Sequence, residues 1–218
     1  MRESPRIRRL RTDFKALEKL REDSSIIDFE VATSTHDAPP ESYAITFRGK
    51  GLWRPDSSVD ILIREQHVVH IHLGAAYPRM MPDLAWKTPI FHPNISGSGV
   101  VCLGGYGTHW VPSLNLDELC VMLWDMIRYK NFDVESPYNR EAALWAKTQR
   151  KIPFPVDDRP LRDRVAGVAL TKQDAAKPPI TAAPRKESEI PDVLFIDGEE
   201  VVEAEVVESN NEDILFIE

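Results

Sequence analysis

Cysteine is scarce in this chain of 218 residues, which contains only two. Cys102 and Cys120 do not form a Cys-x-x-Cys pair, and this argues against both a disulfide framework and a zinc site. Two isolated cysteines predict a protein of a reducing, cytoplasmic compartment.

Long hydrophobic runs are also missing. No stretch approaches the roughly 18 apolar residues that a membrane-spanning helix needs, and the basic N-terminus MRESPRIRRLR lacks the apolar segment of a secretory signal. Apolar residues make up 42% of the chain and charged residues 28%, as in ordinary globular proteins. We therefore expect one compact domain with an additional segment, and no membrane partner.

Lysine and arginine are absent from residues 187–218, which carry twelve Asp or Glu. The net charge of −8 therefore comes from the tail, because residues 1–186 hold 27 basic and 23 acidic side chains. This small positive surplus forms no dense basic stripe, so nucleic acid is not predicted as a partner.

Hydrophobic periodicity predicts an α+β fold. Residues 5–22 carry apolar side chains every three or four positions, which is typical of one face of a helix. From residue 26 to 91 the period changes to two, and IIDFEVAT, SYAITFR, VDILI and VVHIHL predict a four-stranded antiparallel meander. A last short strand, LAWKTPIF, follows a loop with two prolines.

Two further helices are predicted after residue 114. Asn115 is a good N-cap for the first, because Glu118 three positions later can accept a hydrogen bond from its backbone. Cys120 falls on the apolar stripe of this helix and is predicted to be a core residue. Ser136 is predicted to cap the second helix, with Pro137 at its first position.

The composition changes beyond about residue 152, where Pro, Ala and charged residues dominate. This composition predicts a largely irregular, poorly ordered linker over residues 153–187. The acidic tail, residues 188–218, contains two similar segments, DVLFID at 192–197 and DILFIE at 213–218.

Several fixed spacings agree with one known family. YPRMMP (77–82) precedes His-Pro-Asn at 92–94, Cys102 comes eight residues after the asparagine, and Trp-Val-Pro begins eight residues after the cysteine. With these motifs in this order, the chain resembles the ubiquitin-conjugating enzymes over residues 4–152. The resemblance implies their fold, with an N-terminal helix, a four-stranded antiparallel sheet, an active-site loop and C-terminal helices.

The resemblance further implies that Cys102 accepts the C-terminus of a ubiquitin-like modifier as a thioester and transfers it to an amine. A nucleophilic thiol that takes a large acyl partner belongs on an accessible loop. Asn94 is then expected to stabilise the oxyanion through its side-chain amide, although a turn residue that bonds its own backbone is the alternative. His92, Pro93 and Trp110 are expected to be structural residues near the site.

The family often has an aspartate before the proline at the start of the following helix, where it orients the acceptor lysine. Ser136 stands at that position, so Ser136, Glu135 and Asp133 are all candidates for this role. Free lysine titrates near ~10.4, and a nearby carboxylate group would help to position and activate the amine.

The implied partners are a modifier, an activating enzyme that uses ATP, and a ligase; the chain itself is expected to need no cofactor. The basic face of the first helix is where the family meets the activating enzyme, and the resemblance assigns this role to Arg6, Arg9 and Lys15. Met81 and Pro112 are assigned to ligase docking. Arg79 replaces the usual aromatic anchor, which indicates an unfamiliar ligase and suits a bacterial or otherwise remote conjugation system.

Two other functions compete with the transferase. One is a family variant without catalysis that only binds modifiers, but such variants typically lack the cysteine or the asparagine. The other is a cysteine hydrolase, for which His109 is the nearest histidine in sequence without an evident orienting acid. No metal site is predicted at His67, His70 and His72, because no carboxylate or thiol joins them at suitable spacing.

The two segments of the acidic tail resemble short motifs that bind ubiquitin-like modifiers by adding a strand to a sheet edge. The alternative is a solubilising tail, or one that folds back onto the basic first helix. Two tethered copies favour binding through avidity.

Overall fold

The computed structural model describes four stretches of the chain, residues 3–31, 38–55, 60–104 and 110–166. His109 and the acidic tail with its two repeated segments lie outside the described residues. Across the described stretches, no helix combines the length and the hydrophobicity that a membrane crossing requires.

Helix α1 spans Pro5–Asp23 and confirms the predicted N-terminal helix. It begins after Ser4, whose hydroxyl accepts a hydrogen bond from the backbone N–H of Ile7 at 3.2 Å. Leu10, Leu17 and Leu20 are fully buried on one face, while the basic side chains of Arg8, Arg11 and Lys15 are exposed on the other.

The sheet is a four-stranded antiparallel meander in the order β1-β2-β3-β4, as predicted. Its strands are β1 (Ile27–Val31), β2 (Ser42–Trp53), β3 (Leu62–His72) and β4 (Asp83–Trp86).

The assignment of the third and fourth strands is corrected by the structure. The segments VDILI and VVHIHL, predicted as two strands, contribute to the single strand β3, and the fourth strand is the short segment at Asp83–Trp86. The reason is that β2 continues past a register shift between Arg48 and Gly51 and pairs with β3 along its whole length. Polar residues between the two apolar segments of β3 therefore remain in the ladder.

The core lies between the inner face of the sheet and two helices. Helix α2 (Leu116–Ile127) packs against α1 and β2, and the Trp124 ring of α2 stacks on Phe47 of β2 with centroids 6.3 Å apart. Cys120 has 0% exposure within this core, which confirms the sequence prediction, and burial raises the pKa of its thiol.

Of the two helix caps predicted for the C-terminal helices, one is confirmed and the other is wrong. Asn115 precedes α2 and its N–H donates to Glu118 at 2.8 Å, as expected. Helix α3 spans Arg140–Thr148, and its cap is Asn139, whose Oδ1 accepts from the N–H of Ala142 at 3.0 Å. Ser136 does not cap this helix, because the chain after it first turns back to the His-Pro-Asn segment.

Residues 153–166 pack on the core beyond the predicted boundary at 152. Leu161 is 2% exposed within the hydrophobic cluster, and the indole N–H of Trp124 donates to the carbonyl of Arg159 at 2.8 Å. The guanidinium of Arg162 pairs with Asp23 of α1 and Asp117 of α2. Residues 153–166 therefore connect the end of α1 to the start of α2.

Candidate active site

The His-Pro-Asn segment forms a buried turn after β4. His92 is fully buried, its Nδ1 accepts a hydrogen bond from the N–H of Asn94 at 3.1 Å, and its ring lies 5.0 Å from the ring of Tyr129. Burial lowers the pKa of His92 to about 3, so the imidazole is neutral at physiological pH. In this position His92 orders the turn as an acceptor.

The Asn94 side chain joins this turn to the segment that follows α2. Its amide donates to the carbonyl of Asp133 at 2.9 Å, and its Oδ1 accepts from the N–H of Asp133 at 2.7 Å. The Asn94 carbonyl also accepts from the N–H of Cys102 at 2.9 Å. Since an amide nitrogen carries two hydrogens, this arrangement leaves one donor that the Asp133 carbonyl does not use.

A short loop returns the chain from Asn94 to Cys102 along the edge of the sheet. Ile95 and Val101 form an antiparallel bridge, and the N–H of Trp86 in β4 donates to the Gly99 carbonyl at 2.8 Å. Gly99 has φ +87°, and a Cβ at this position would lie 2.2 Å from the Trp86 carbonyl oxygen. Only glycine therefore fits at position 99. Its close approach to Trp86 sets the course of the loop that leads to Cys102.

Cys102 is partly exposed, in contrast to the buried Cys120. It lines a cavity of ≈ 40 Å³ whose other walls are Asn94, Leu103, Gly104, Met126, Asn131, Phe132 and Asp133. A space of this size accommodates a water molecule or a small group such as a carbonyl. The structure thus brings together Cys102 and Asn94, which are the two residues predicted to be catalytic.

The three candidates for orienting an acceptor occupy different positions. Asp133 lines the cavity, and its Oδ1 accepts from the N–H groups of Glu135 at 2.7 Å and Ser136 at 3.4 Å. The Glu135 carboxylate is exposed and pairs with Lys147 of α3 at 2.8 Å. Ser136 is exposed and does not line the cavity. Of the three, Asp133 is the carboxylate next to the thiol.

The loop after the cysteine is connected to the proline-rich loop through Trp110. Its indole N–H donates to the Pro78 carbonyl at 2.7 Å, and its ring packs against the hydrophobic core. Met80 is 65% exposed, whereas Met81 packs partly against the core. Pro112 is exposed beside these loops, so the apolar surface predicted to dock a ligase presents Met80 more fully than Met81.

The basic residues of α1 fall into two groups. Arg6 donates to Glu41 and to the carbonyls of Leu73 and Gly74, and Arg9 is also used within the fold. Lys15 is exposed. The face predicted to meet an activating enzyme therefore presents Lys15 but holds Arg6 and Arg9 in internal contacts.

The predicted strand histidines differ in exposure. His67 is buried and donates through Nε2 to the Arg64 carbonyl at 3.0 Å, while His70 and His72 are exposed on the outer face of β3. Within the described stretches, no group of three or more His, Cys, Asp or Glu side chains is arranged to hold a metal ion.

Sequence reasoning missed two residues of the site. Tyr129 supports the turn from below, because its hydroxyl donates to the Phe91 carbonyl at 2.5 Å and its ring stacks on Phe154 at 4.6 Å. Tyr138, in the segment before α3, contacts the turn through its backbone N–H, which donates to the Pro93 carbonyl at 2.9 Å. Neither position carries a sequence signal, since both contacts depend on how distant segments return to the turn.

Comparison with known proteins agrees with this geometry. Residues 64–154 match the model of the ubiquitin-conjugating enzyme family. The chain is 36% identical over 90 residues to ubiquitin-conjugating enzyme E2 16 of Schizosaccharomyces pombe, over 41% of this chain and 55% of that protein. It is 33% identical over 84 residues to the Nedd8-conjugating enzyme UbcE2M of Drosophila melanogaster, over 38% of this chain and 45% of that protein. The chain spans about half the length of these curated relatives.

The fold is also found among solved structures. S. cerevisiae Ubc12 aligns with a TM-score of 0.53 at 22% identity, over 69% of this chain and 76% of that chain. Over residues 64–154 the sequence is therefore similar to the ubiquitin-conjugating enzyme family, and the fold agrees with that of Ubc12.

Proposed function

We propose that this protein is a cysteine-thioester acyltransferase that carries a ubiquitin-like modifier. Cys102 accepts the C-terminal carboxyl group of the modifier from an activating enzyme and then transfers it to an amine. The activating enzyme consumes the ATP, and this chain needs no cofactor of its own.

The observation that carries this proposal is the juxtaposition of the partly exposed Cys102 with Asn94. The N–H of Cys102 donates to the Asn94 carbonyl at 2.9 Å, and both residues line one cavity. Cys120 is enclosed in the core, so it cannot meet a large acyl partner.

The chemistry is a nucleophilic substitution at the acyl carbon. An amine attacks the thioester carbonyl, the carbonyl oxygen gains negative charge, and the C–S bond breaks as the amide forms. In this proposal the Asn94 amide donates to that oxygen through the hydrogen that its bond to the Asp133 carbonyl does not use. Asp133, at the edge of the same cavity, supplies a carboxylate to orient the incoming amine.

Thioester formation is the experiment that tests this function. The protein is mixed with an activating enzyme, ATP and a modifier, and the products are separated with and without reducing agent. We expect an adduct that a reducing agent removes, that is absent in Cys102→Ala, and that becomes resistant to reduction in Cys102→Ser because the serine forms an oxygen ester.

Cys120→Ala is the matched control, since it removes the other thiol of the chain. It should retain the adduct. Ubiquitin and Nedd8 are tested in parallel, because the curated relatives are named as conjugating enzymes for one or the other. If no modifier forms an adduct, the transferase proposal is wrong, and modifier binding without catalysis becomes the better explanation.

We further propose that the acidic tail binds a modifier through its two repeated segments. Deletion of residues 188–218 should weaken modifier affinity without changing the amount of thioester formed at saturating modifier. Unchanged affinity after the deletion would leave the tail as a solubilising segment.

A further inference from the structure

An aromatic cluster packs next to the His-Pro-Asn turn. It consists of Phe91, Tyr129, Phe132, Trp145 and Phe154. The Phe154 ring stacks on Tyr129 with centroids 4.6 Å apart. It also lies 5.5 Å from the Phe132 ring and 6.1 Å from the Trp145 ring. Phe154 therefore links the cluster to the segment that follows α3.

Two rings of the cluster hold the two sides of the Asn94 contact. Tyr129 orders the turn, and its ring lies 5.0 Å from the ring of His92. Phe132 immediately precedes Asp133, whose N–H and carbonyl bond the Asn94 side chain at 2.7 and 2.9 Å. The Asn94 carboxamide is therefore held between two segments whose aromatic anchors both contact Phe154.

The backbone of Tyr129 is strained. Its φ is 60°, in the left-handed region that residues other than glycine rarely adopt. Such a conformation persists only where the surrounding packing overdetermines it. Tyr129 is 1% exposed, and its ring contacts those of Phe132 and Phe154. Loss of the stacked Phe154 ring would therefore allow Tyr129 to relax.

Phe154 itself is fixed by contacts on both sides. The N–H of Val156 donates to the carbonyl of Arg128, which precedes Tyr129, at 2.8 Å. The Gln149 side chain bonds the N–H and the carbonyl of Ile152 at 2.9 and 3.0 Å. Because the backbone is anchored before and after Phe154, its ring has a defined position in the cluster.

We propose that Phe154 is a positioning residue that acts on transfer through Asn94. It holds the rings of Tyr129 and Phe132, and these rings keep the amide in place at the Cys102 cavity. This inference rests on the proposed function, in which that amide donates to the oxyanion. Such a donor works from a fixed geometry, and a misplacement of about 1 Å can slow a reaction by about 100-fold.

The test compares the full chain with variants that lack the ring. Phe154→Leu and Phe154→Met both keep an apolar side chain, and the flexible methionine fills more of the vacated volume. Leu161→Ala is the matched control, because Leu161 lies in the same C-terminal segment but is buried in the core between sheet and helices. Urea unfolding identifies conditions under which every variant is folded.

The first measurement needs no partner protein and follows amide hydrogen exchange at Asp133 by NMR. This N–H donates to Oδ1 of Asn94 at 2.7 Å. We expect it to exchange about tenfold faster in both Phe154 variants, because the local contact opens more often. Leu161→Ala should leave this rate unchanged.

The second measurement follows discharge of the preloaded thioester at saturating free lysine in a single turnover. We expect about tenfold slower discharge for Phe154→Leu and a normal rate for Leu161→Ala. In an Asn94→Ala background, Phe154→Leu should cause no further loss, since residues that act through one another are not additive.

Normal discharge by both Phe154 variants would overturn the inference. Equally slow discharge by Leu161→Ala would also overturn it, because the effect would then follow stability. A full tenfold loss from Phe154→Leu in the Asn94→Ala background would show that Phe154 does not act through Asn94. If the unchanged chain forms no thioester, the proposed function fails, and exchange at Asp133 still decides whether Phe154 holds the Asn94 contact.

Discussion

At the scale of single residues, Asn94 combines a structural and a chemical position. Its side chain bonds both the N–H and the carbonyl of Asp133, and it lies next to Cys102 in the same cavity. The sequence left two interpretations of Asn94, an oxyanion donor and a residue that bonds backbone. A substitution distinguishes them, because the first predicts a slower reaction and the second predicts a lower stability.

We predict that Asn94→Ala slows discharge of the thioester by about 100- to 1,000-fold, the usual effect of losing one oxyanion donor. The loss of the two bonds to Asp133 should also lower the free energy of unfolding by about 1–3 kcal/mol. Discharge kinetics and urea unfolding measure the two effects separately. A variant that unfolds more easily but discharges at the normal rate would assign Asn94 to structure alone.

Two buried histidines predict how stability depends on pH. Burial lowers the pKa of His67 to about 4 and of His92 to about 3, whereas an unfolded histidine titrates near ~6.5. The unfolded chain therefore binds more protons below pH 6.5. The stabilisation from keeping these rings neutral is fully present above pH 6.5, and it is lost progressively as the pH falls towards 4.

Each histidine should contribute a slope on the order of 1 kcal/mol per pH unit across that window. The measurement is the free energy of urea unfolding at several pH values. His67→Gln should flatten the slope even though it lowers stability overall. His70→Gln is the control, because His70 is exposed and its replacement should leave the slope unchanged.

At the scale of elements, α1 is joined to the loop that carries Met80 and to the loop that carries Trp110 through one buried carboxylate. Asp13 is fully buried and accepts from Arg9 at 2.8 Å, from the Tyr77 hydroxyl at 2.7 Å and from the N–H of Leu116 at 3.2 Å. Arg9 in turn donates to the Pro112 carbonyl at 2.5 Å. This network connects the helix to the loops that carry Met80 and Trp110.

We predict that Arg9→Ala lowers the free energy of unfolding by about 3–5 kcal/mol, since it leaves the Asp13 carboxylate buried without its cation. Lys15→Ala, on the exposed face of the same helix, should change stability by less than about 0.5 kcal/mol. Urea unfolding compares the stability of the two variants. The rate of thioester loading by the activating enzyme then tests whether Lys15 contacts that partner. Slower loading by a stable Lys15→Ala variant would assign the exposed basic face to that partner.

The start of α3 provides a second test at this scale. Asn139→Ala should cost about 1 kcal/mol, because it removes the side chain that caps the helix. Ser136→Ala should be nearly neutral in thermal or urea unfolding, although the sequence suggested serine as the cap. Equal losses from the two substitutions would contradict the observed cap.

At the scale of the whole molecule, residues 153–166 pack against α1 and α2. Leu161 enters the core that α1 and α2 share, and Arg162 pairs with an aspartate on each of these helices. The segment was predicted as part of a linker, because prolines and charges outnumber its few apolar residues.

We predict that Leu161→Ala lowers the free energy of unfolding by about 2–5 kcal/mol, the usual cost of emptying a buried leucine site. Val165→Ala is the control in the same segment, since Val165 is 50% exposed and should change stability by less than about 0.5 kcal/mol. Urea unfolding of the full chain measures both. A neutral Leu161→Ala variant would show that the segment does not stabilise the core.

The sequence by itself determined those features that depend on local pattern. The apolar spacing of α1, the alternation of the strands and the Asn115–Glu118 cap all rest on contacts between near neighbours, and each was predicted from residue type and order. The motif spacing from Tyr77 to Trp110 likewise predicted the similarity to the ubiquitin-conjugating enzymes, because it depends only on the order and separation of residues along the chain.

Only the tertiary structure decided what depends on contacts between distant segments. The return of Tyr138 to Pro93, the bonds between Asn94 and Asp133 and the burial of Leu161 join residues separated by tens of positions. Such contacts leave no periodicity in the chain, since any of several nearby residues could serve equally well by type. The physical reason is that packing selects among chemically similar side chains by position, and position is a property of the fold.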